Sequence, residues 1–154
     1  MSATLITDFY SAFASGDAAG MTSCYHDDIT FSDPAFGTLH ADRAKAMWHM
    51  LLSAPGANLR VAHANVLSDG QHGSASWTAH YTYGPARRFV TNHVTARFTF
   101  ADGKILTHHD HFDLWRWSRQ ALGATGWLLG WSPLMRRKVQ ATTAARLDRY
   151  LAQA

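Results

Sequence analysis

Helices segregated to one face of an antiparallel sheet, an α+β fold, are what this sequence predicts. Two observations carry the prediction. Apolar residues recur at helical spacing up to about Leu52, then switch to alternate positions from Leu59 onward. A second helical pattern follows Ser132-Pro133. The order is therefore three helices, four long antiparallel strands and a closing helix. No linker, repeat or low-complexity tract interrupts residues 1–154, so one domain is expected.

Leu5, Ile6, Phe9, Tyr10 and Phe13 define the first helix, which Gly16 ends. Asp17 is placed to cap a second, short helix running through Met21 and Tyr25. Ile29 and Phe31 alternate with polar neighbours as a short strand that Asp33-Pro34 stops. A third helix spans about Asp42 to Leu52, with Met47, Trp48 and Leu51, and Pro55-Gly56 closes it. Strand alternation then runs from Leu59 to Leu67, from Ala75 to Tyr83, and from Val90 to Phe100. Turns at Asp69-Gly70, Gly84-Pro85 and Asp102-Gly103 separate these runs, the last a strong hairpin signal. The fourth strand reads from Ile105 to Trp117. A short helix and an apolar loop follow, around Ala121 to Gly123 and Trp127 to Trp131. Ser132 and Pro133 suit the cap and first turn of the last helix, whose apolar content is Leu134, Leu147, Tyr150 and Leu151.

Composition excludes several classes. With 47% apolar and 16% charged residues the chain is not disordered. No long uncharged apolar stretch is present, so no membrane partner is expected. The N-terminus lacks the basic region and cleavage site of a signal peptide, and a single cysteine, Cys24, fits a reducing, cytoplasmic setting. Cys24 reads as a small core residue. The net charge of +3 comes mainly from Arg136-Arg137-Lys138 and Arg146 to Arg149, a solvated helix face, so no nucleic-acid partner is expected. Ten histidines and six tryptophans are the informative excess.

The run Phe9 to Phe13, Gly16-Asp17, Tyr25-His26-Asp27-Asp28 and Ile29 to Pro34 resembles the N-terminal half of SnoaL-like polyketide cyclases and ketosteroid isomerases, members of the nuclear-transport-factor-2-like superfamily. Asp102-Gly103-Lys104-Ile105 before an aromatic-rich strand matches the second half. The resemblance covers about residues 5 to 117. It implies a curved antiparallel sheet wrapped around the N-terminal helices as a conical pocket, with a C-terminal helix. It also places Asp33 where ketosteroid isomerases hold the carboxylate that shuttles a proton, and Asp110 where SnoaL-type cyclases hold an acid/base aspartate. The isomerase's oxyanion-hole tyrosine falls on Phe9 and its protonated aspartate on Thr95 or Ala96. Without those donors a true ketosteroid isomerase is not expected.

The residues support a site independently. Leu106, His108, Asp110, Phe112 and Leu114 share one strand face, and the apolar members direct it inward. His108 and Asp110 are then neighbours able to share a proton or to satisfy each other as a buried pair. Asp33 serves either as a pocket base or as a turn cap. Asn92 has inward parity, and Trp48, Trp77, Tyr81, Phe36, Phe112 and Phe9 are candidate pocket walls. His109, His111 and Asp113 face outward without a clustered third ligand, so no metal is expected. With His93, Thr95, Arg97, Trp115 and Trp117 they suit a convex homodimer face. The expected activity is cofactor-free acid/base chemistry of isomerase, cyclase or hydrolase type on a small hydrophobic molecule. The alternatives are a non-catalytic binder of an apolar metabolite and a dimeric adaptor with a filled core.

Overall fold

The computed structural model describes residues 1–54 and 58–154, so the expected closure at Pro55-Gly56 lies outside the described residues. Three helices lead: α1 (Ser2–Ala14), α2 (Ala18–Ser23) and, after two strands, α3 (Ala41–Ser53). The strands are β1 (Tyr25–Asp33), β2 (Gly37–His40), β3 (Arg60–Ser68), β4 (His72–Tyr83), β5 (Arg88–Ala101) and β6 (Lys104–His111). Helices α4 (Leu114–Leu122), α5 (Ala124–Leu129) and α6 (Pro133–Gln153) complete the chain. The strands form one curved, unclosed sheet in the order β2-β1-β6-β5-β4-β3.

Local chemistry sets most boundaries. Ile6, Phe9, Tyr10 and Phe13 are the buried face of α1. Asp17 caps α2 by accepting from the Gly20 N–H at 2.8 Å. Asp102 and Gly103 both take positive φ, as a type I′ hairpin requires, and join β5 to β6. Ser132 accepts from Met135 N, with Pro133 in the first turn of α6.

Several expectations are corrected. The sheet is mixed, because β1 lies parallel to β6 while all its other pairings are antiparallel. A short β2, which has no alternation to read, pairs with β1. Helix α2 stops at Ser23, and Tyr25 opens β1 instead of ending the helix. The last strand ends at His111, not at Trp117, because Asp113 accepts from Arg116 N at 3.0 Å and starts α4. Trp115 and Trp117 therefore leave the outer sheet face: Trp117 is buried and Trp115 partly exposed. His93, Thr95, Arg97, His109 and His111 remain exposed on that face. On β6, a register irregularity buries Ile105 and leaves Leu106 only half-buried. The buried residues of α6 are Met135, Val139 and Leu147, whereas Leu134 and Leu151 are exposed.

Two apolar clusters fill the inner side. The first gathers Phe9, Tyr10, Phe13, Phe31, Trp48 and Phe98 from the leading helices and the sheet. The second gathers Val90, Val94, Phe112, Trp117, Met135 and Val139 beneath α4 and α6. Trp77 packs against both. Beyond the end of β6, strand β5 continues without it, and α4 covers the gap. The Gln120 amide accepts from Thr91 N at 2.8 Å and donates to Thr91 O at 3.0 Å, replacing the missing strand.

Helix α5 is seated on α4 through Gly126, where a Cβ would run into the Ser118 carbonyl backbone. Gly126→Ala should therefore destabilise the fold by about 1–3 kcal/mol, the usual range for overpacking. Urea denaturation measures this, and an unchanged midpoint would contradict the close seating.

Candidate active site

Strand β6 runs between the two apolar clusters and places a polar belt at their junction. Ile105 belongs to the first cluster and Phe112 to the second, with His108 and Asp110 between them in the chain. Both side chains are nearly sealed, at 0% exposure for His108 and 2% for Asp110. His109 and His111 point the other way and are exposed, as the alternation on this strand predicts. His109 Nδ1 instead meets Ser32 Oγ on the neighbouring strand.

A chain of hydrogen bonds crosses the interior. The Trp48 indole N–H, which can only donate, reaches Tyr25 Oη at 2.8 Å. The Tyr25 hydroxyl lies 2.7 Å from His108 Nδ1, and His108 Nε2 lies 2.8 Å from Asp110 Oδ1. Donor polarity assigns the protons: Tyr25 donates to Nδ1, and Nε2–H donates to the Asp110 carboxylate. Burial holds the Tyr25 phenol well above its ordinary range, which keeps that proton in place. Trp77 Nε1 makes a longer contact to the same Asp110 oxygen, at 3.4 Å. Rings of Phe9, Phe31, Phe98 and Trp48 surround His108 at centroid distances of 4.5 to 6.2 Å.

Asp33 joins this belt through strand register. Phe31 and Ser32 pair with His108 and His109 across the parallel β1–β6 ladder, so Asp33 follows the last pair on the same side as Asp110, whose charge reaches it. Its Oδ1 accepts from Ala35 N at 2.9 Å and Phe36 N at 2.5 Å, capping the turn into β2. Helix α6 grips that turn: Gln140 donates to Pro34 O and Thr143 to Ala35 O. Burial, opposed by the Phe36 N–H and reinforced by the Asp110 charge, raises the Asp33 pKa to about 7. The hydrogen bonds thus show the turn-cap reading of Asp33, and the cap occupies one oxygen.

The remaining candidates divide between the clusters. Phe9 and Trp48 are buried in the first, Phe36 packs against it half-buried, and Phe112 lies in the second. Tyr81 Oη accepts from Trp117 Nε1 at 2.7 Å, and burial pushes its phenol up to about 12. Asn92 is buried on β5, between inward-facing Val90 and Val94. Tyr10, next to the aligned Phe9, stacks on His63, and its buried hydroxyl has no hydrogen-bond partner among the described residues. Cys24 is buried, with its thiol pushed up chiefly by that burial. Sequence reasoning missed Tyr25; its shared parity with Ile29, Phe31 and Asp33 was the available signal.

The family follows from the sequence itself. The SnoaL-like domain family matches residues 6–108, which take in most of α1, all of α2 and α3, and reach His108. The chain belongs to the SnoaL-like domain family. No curated protein shows a significant match. Solved structures share the fold at low identity. An M. tuberculosis LEH-like epoxide hydrolase is 19% identical, with a TM-score of 0.64 over 77% of this chain and 87% of the other. A putative polyketide cyclase from Pseudomonas putida is 18% identical, with a TM-score of 0.63 over 76% and 95% of the two chains. A Catenulispora acidiphila protein with a ketosteroid isomerase-like fold, in complex with trimethylamine, is 16% identical, with a TM-score of 0.67 over 80% and 95%. These neighbours bear out the nuclear-transport-factor-2-like fold.

The raised Asp33 pKa has a stability consequence. An unfolded aspartate loses its proton near pH 4, while folded Asp33 keeps it to about 7. Between those values the folded state binds more protons, so this group's contribution falls as pH rises and levels off above 7. Asp33→Asn keeps the Oδ1 acceptor and removes the titration. Relative to that variant, the wild type should lose up to about 4 kcal/mol between pH 4 and pH 8. Parallel stability curves for the two proteins across this range would contradict the assignment.

Proposed function

We propose that this chain is a cofactor-free acid/base enzyme acting on a small hydrophobic carbonyl- or epoxide-bearing molecule at the Asp33–Asp110 pair. The observation that carries the reading is the pairing of unlike carboxyls. Asp33, raised to about 7, holds a proton available for donation near neutral pH. Asp110 receives the His108 N–H and acts as proton acceptor. With a carbonyl substrate, Asp110 takes a proton from the adjacent carbon while Asp33 protonates the carbonyl oxygen. With an epoxide, Asp110 takes a proton from water as that water attacks carbon, the C–O bond breaks, and Asp33 protonates the leaving oxygen. His108, backed by Tyr25 and Trp48, holds the Asp110 carboxylate in one orientation as a positioning residue. The cyclase and epoxide hydrolase neighbours make both reaction classes reasonable starting points.

One observation favours the non-catalytic alternatives, a filled core or a binder, instead. The Trp48–Tyr25–His108–Asp110 chain is sealed and internally satisfied, as a network that only fixes register would be. Deuterium exchange at carbons next to a ketone, together with hydration of small epoxides, separates the two readings. Asp110→Asn should lower the rate by roughly 10²–10⁴-fold, and Asp33→Asn should cost less. The wild-type rate should fall as pH rises through about 7, where Asp33 loses its proton, and Asp33→Asn should lack that limb. An Asp110→Asn variant as active as the wild type would rule out Asp110 as the proton acceptor, and no turnover in either protein would leave only the non-catalytic readings.

A further inference from the structure

The tip formed by the β4–β5 turn, α4, α5 and the start of α6 has a surface that the interior site does not explain. Phe89 is 85% exposed, Trp131 68% and Leu134 75%, and Trp127, Leu128 and Leu129 are exposed beside them. Most of these occupy one continuous stretch from Trp127 to Leu134, and stable folds seldom leave such a patch uncovered.

Its charge is one-sided. No Asp or Glu occurs between Asp113 and Asp148, a stretch that holds Arg116, Arg119, Arg136, Arg137, Lys138 and Arg146. None occurs between Asp69 and Asp102 either, where Arg87 and Arg88 lie. Among the described residues the Lys and Arg ion pairs are Arg43–Asp148 and Lys45–Asp27, so these tip cations have no carboxylate partner. Arg87, Arg88, Arg116 and Arg119 line an open groove of about 750 Å³, together with Phe89 and Trp127. Arg119 lies 4.4 Å from the Trp115 ring centre and 4.7 Å from that of Trp127, and its buried Nε has no hydrogen-bond partner among the described residues.

We propose that this tip docks the protein on an anionic membrane surface. Trp127, Leu128, Leu129, Trp131 and Leu134 enter the headgroup–acyl boundary, and the groove arginines meet lipid phosphates. Charge complementarity selects this occupant. Exposed tryptophans and leucines beside arginines that have no carboxylate partner match an interface that is apolar below and negative above. A second copy docked tip to tip would bring two sets of arginines together with no carboxylate between them. No helix among the described residues is long and apolar enough to cross a membrane, so the attachment is peripheral. The proposal is independent of the acid/base reading.

Co-sedimentation with mixed phosphatidylcholine–phosphatidylglycerol vesicles tests it, against vesicles of phosphatidylcholine alone. Binding to the anionic vesicles should be at least about tenfold stronger and should be largely lost at roughly 0.5 M salt. Tryptophan emission should shift to the blue on binding. Trp131→Glu with Leu134→Glu, and separately Arg87→Gln with Arg116→Gln, should each weaken binding at least about tenfold while leaving the circular dichroism spectrum unchanged. Equal or absent binding to both vesicle types, or variants that bind like the wild type, would overturn the proposal. A lipid-free dimer that Trp131→Glu dissociates would also overturn it, by assigning the patch to self-association.

Discussion

A carboxylate inside an aromatic interior is costly unless donors reach it, and the need to satisfy Asp110 organises the middle of this protein. One donor comes from two residues away on the same strand, His108, whose ring is pinned by Tyr25 from β1 and, behind it, Trp48 from α3. The hydrogen-bond chain thus ties β6 to β1 and to a leading helix. The parallel β1–β6 ladder then brings Asp33 alongside, and α6 holds the Asp33 turn from outside through Gln140 and Thr143. Elements from both ends of the chain fix the relation between two carboxyls.

That arrangement separates the two groups chemically. Both are aspartates, yet one is supplied with an imidazole N–H while the other is raised chiefly by burial, against the turn N–H bonds and with its neighbour's charge adding to it. Differences of this kind let a single residue type serve as acid and as base near neutral pH. Membership in the SnoaL-like family supplies the scaffold. The proposed reaction rests on the carboxyl pair and not on the scaffold, since similar folds host many chemistries.

Much of this was legible in the sequence, for identifiable reasons. The period-2 alternation through His108, Asp110 and Phe112 is local and strong, so the inward face of β6 could be read directly. The same alternation continued into Trp115 and Trp117 because Phe112 and Leu114 are apolar at the right spacing. Only the Asp113 cap reveals the change to a helix, and an Asp in that position reads equally as an outward strand residue. Strand β2 is four residues long and carries no pattern. The parallel β1–β6 pairing joins residues more than seventy positions apart, and nothing local encodes it. Tyr25 was lost with the misplaced end of α2, and with it the first half of the hydrogen-bond chain. The bulge that buries Ile105 in place of Leu106 is likewise set by the facing strand.

The central claim is that Asp33 and Asp110 share one electrostatic environment. Carboxyl-carbon NMR titration of ¹³C-labelled protein measures this directly, in the wild type and in Asp110→Asn. Asp33 should titrate at about 7 in the wild type and somewhat lower, though still raised by burial, once the neighbouring negative charge is removed. An Asp33 that titrates in the ordinary carboxylate range, or whose midpoint is the same in both proteins, would contradict the account.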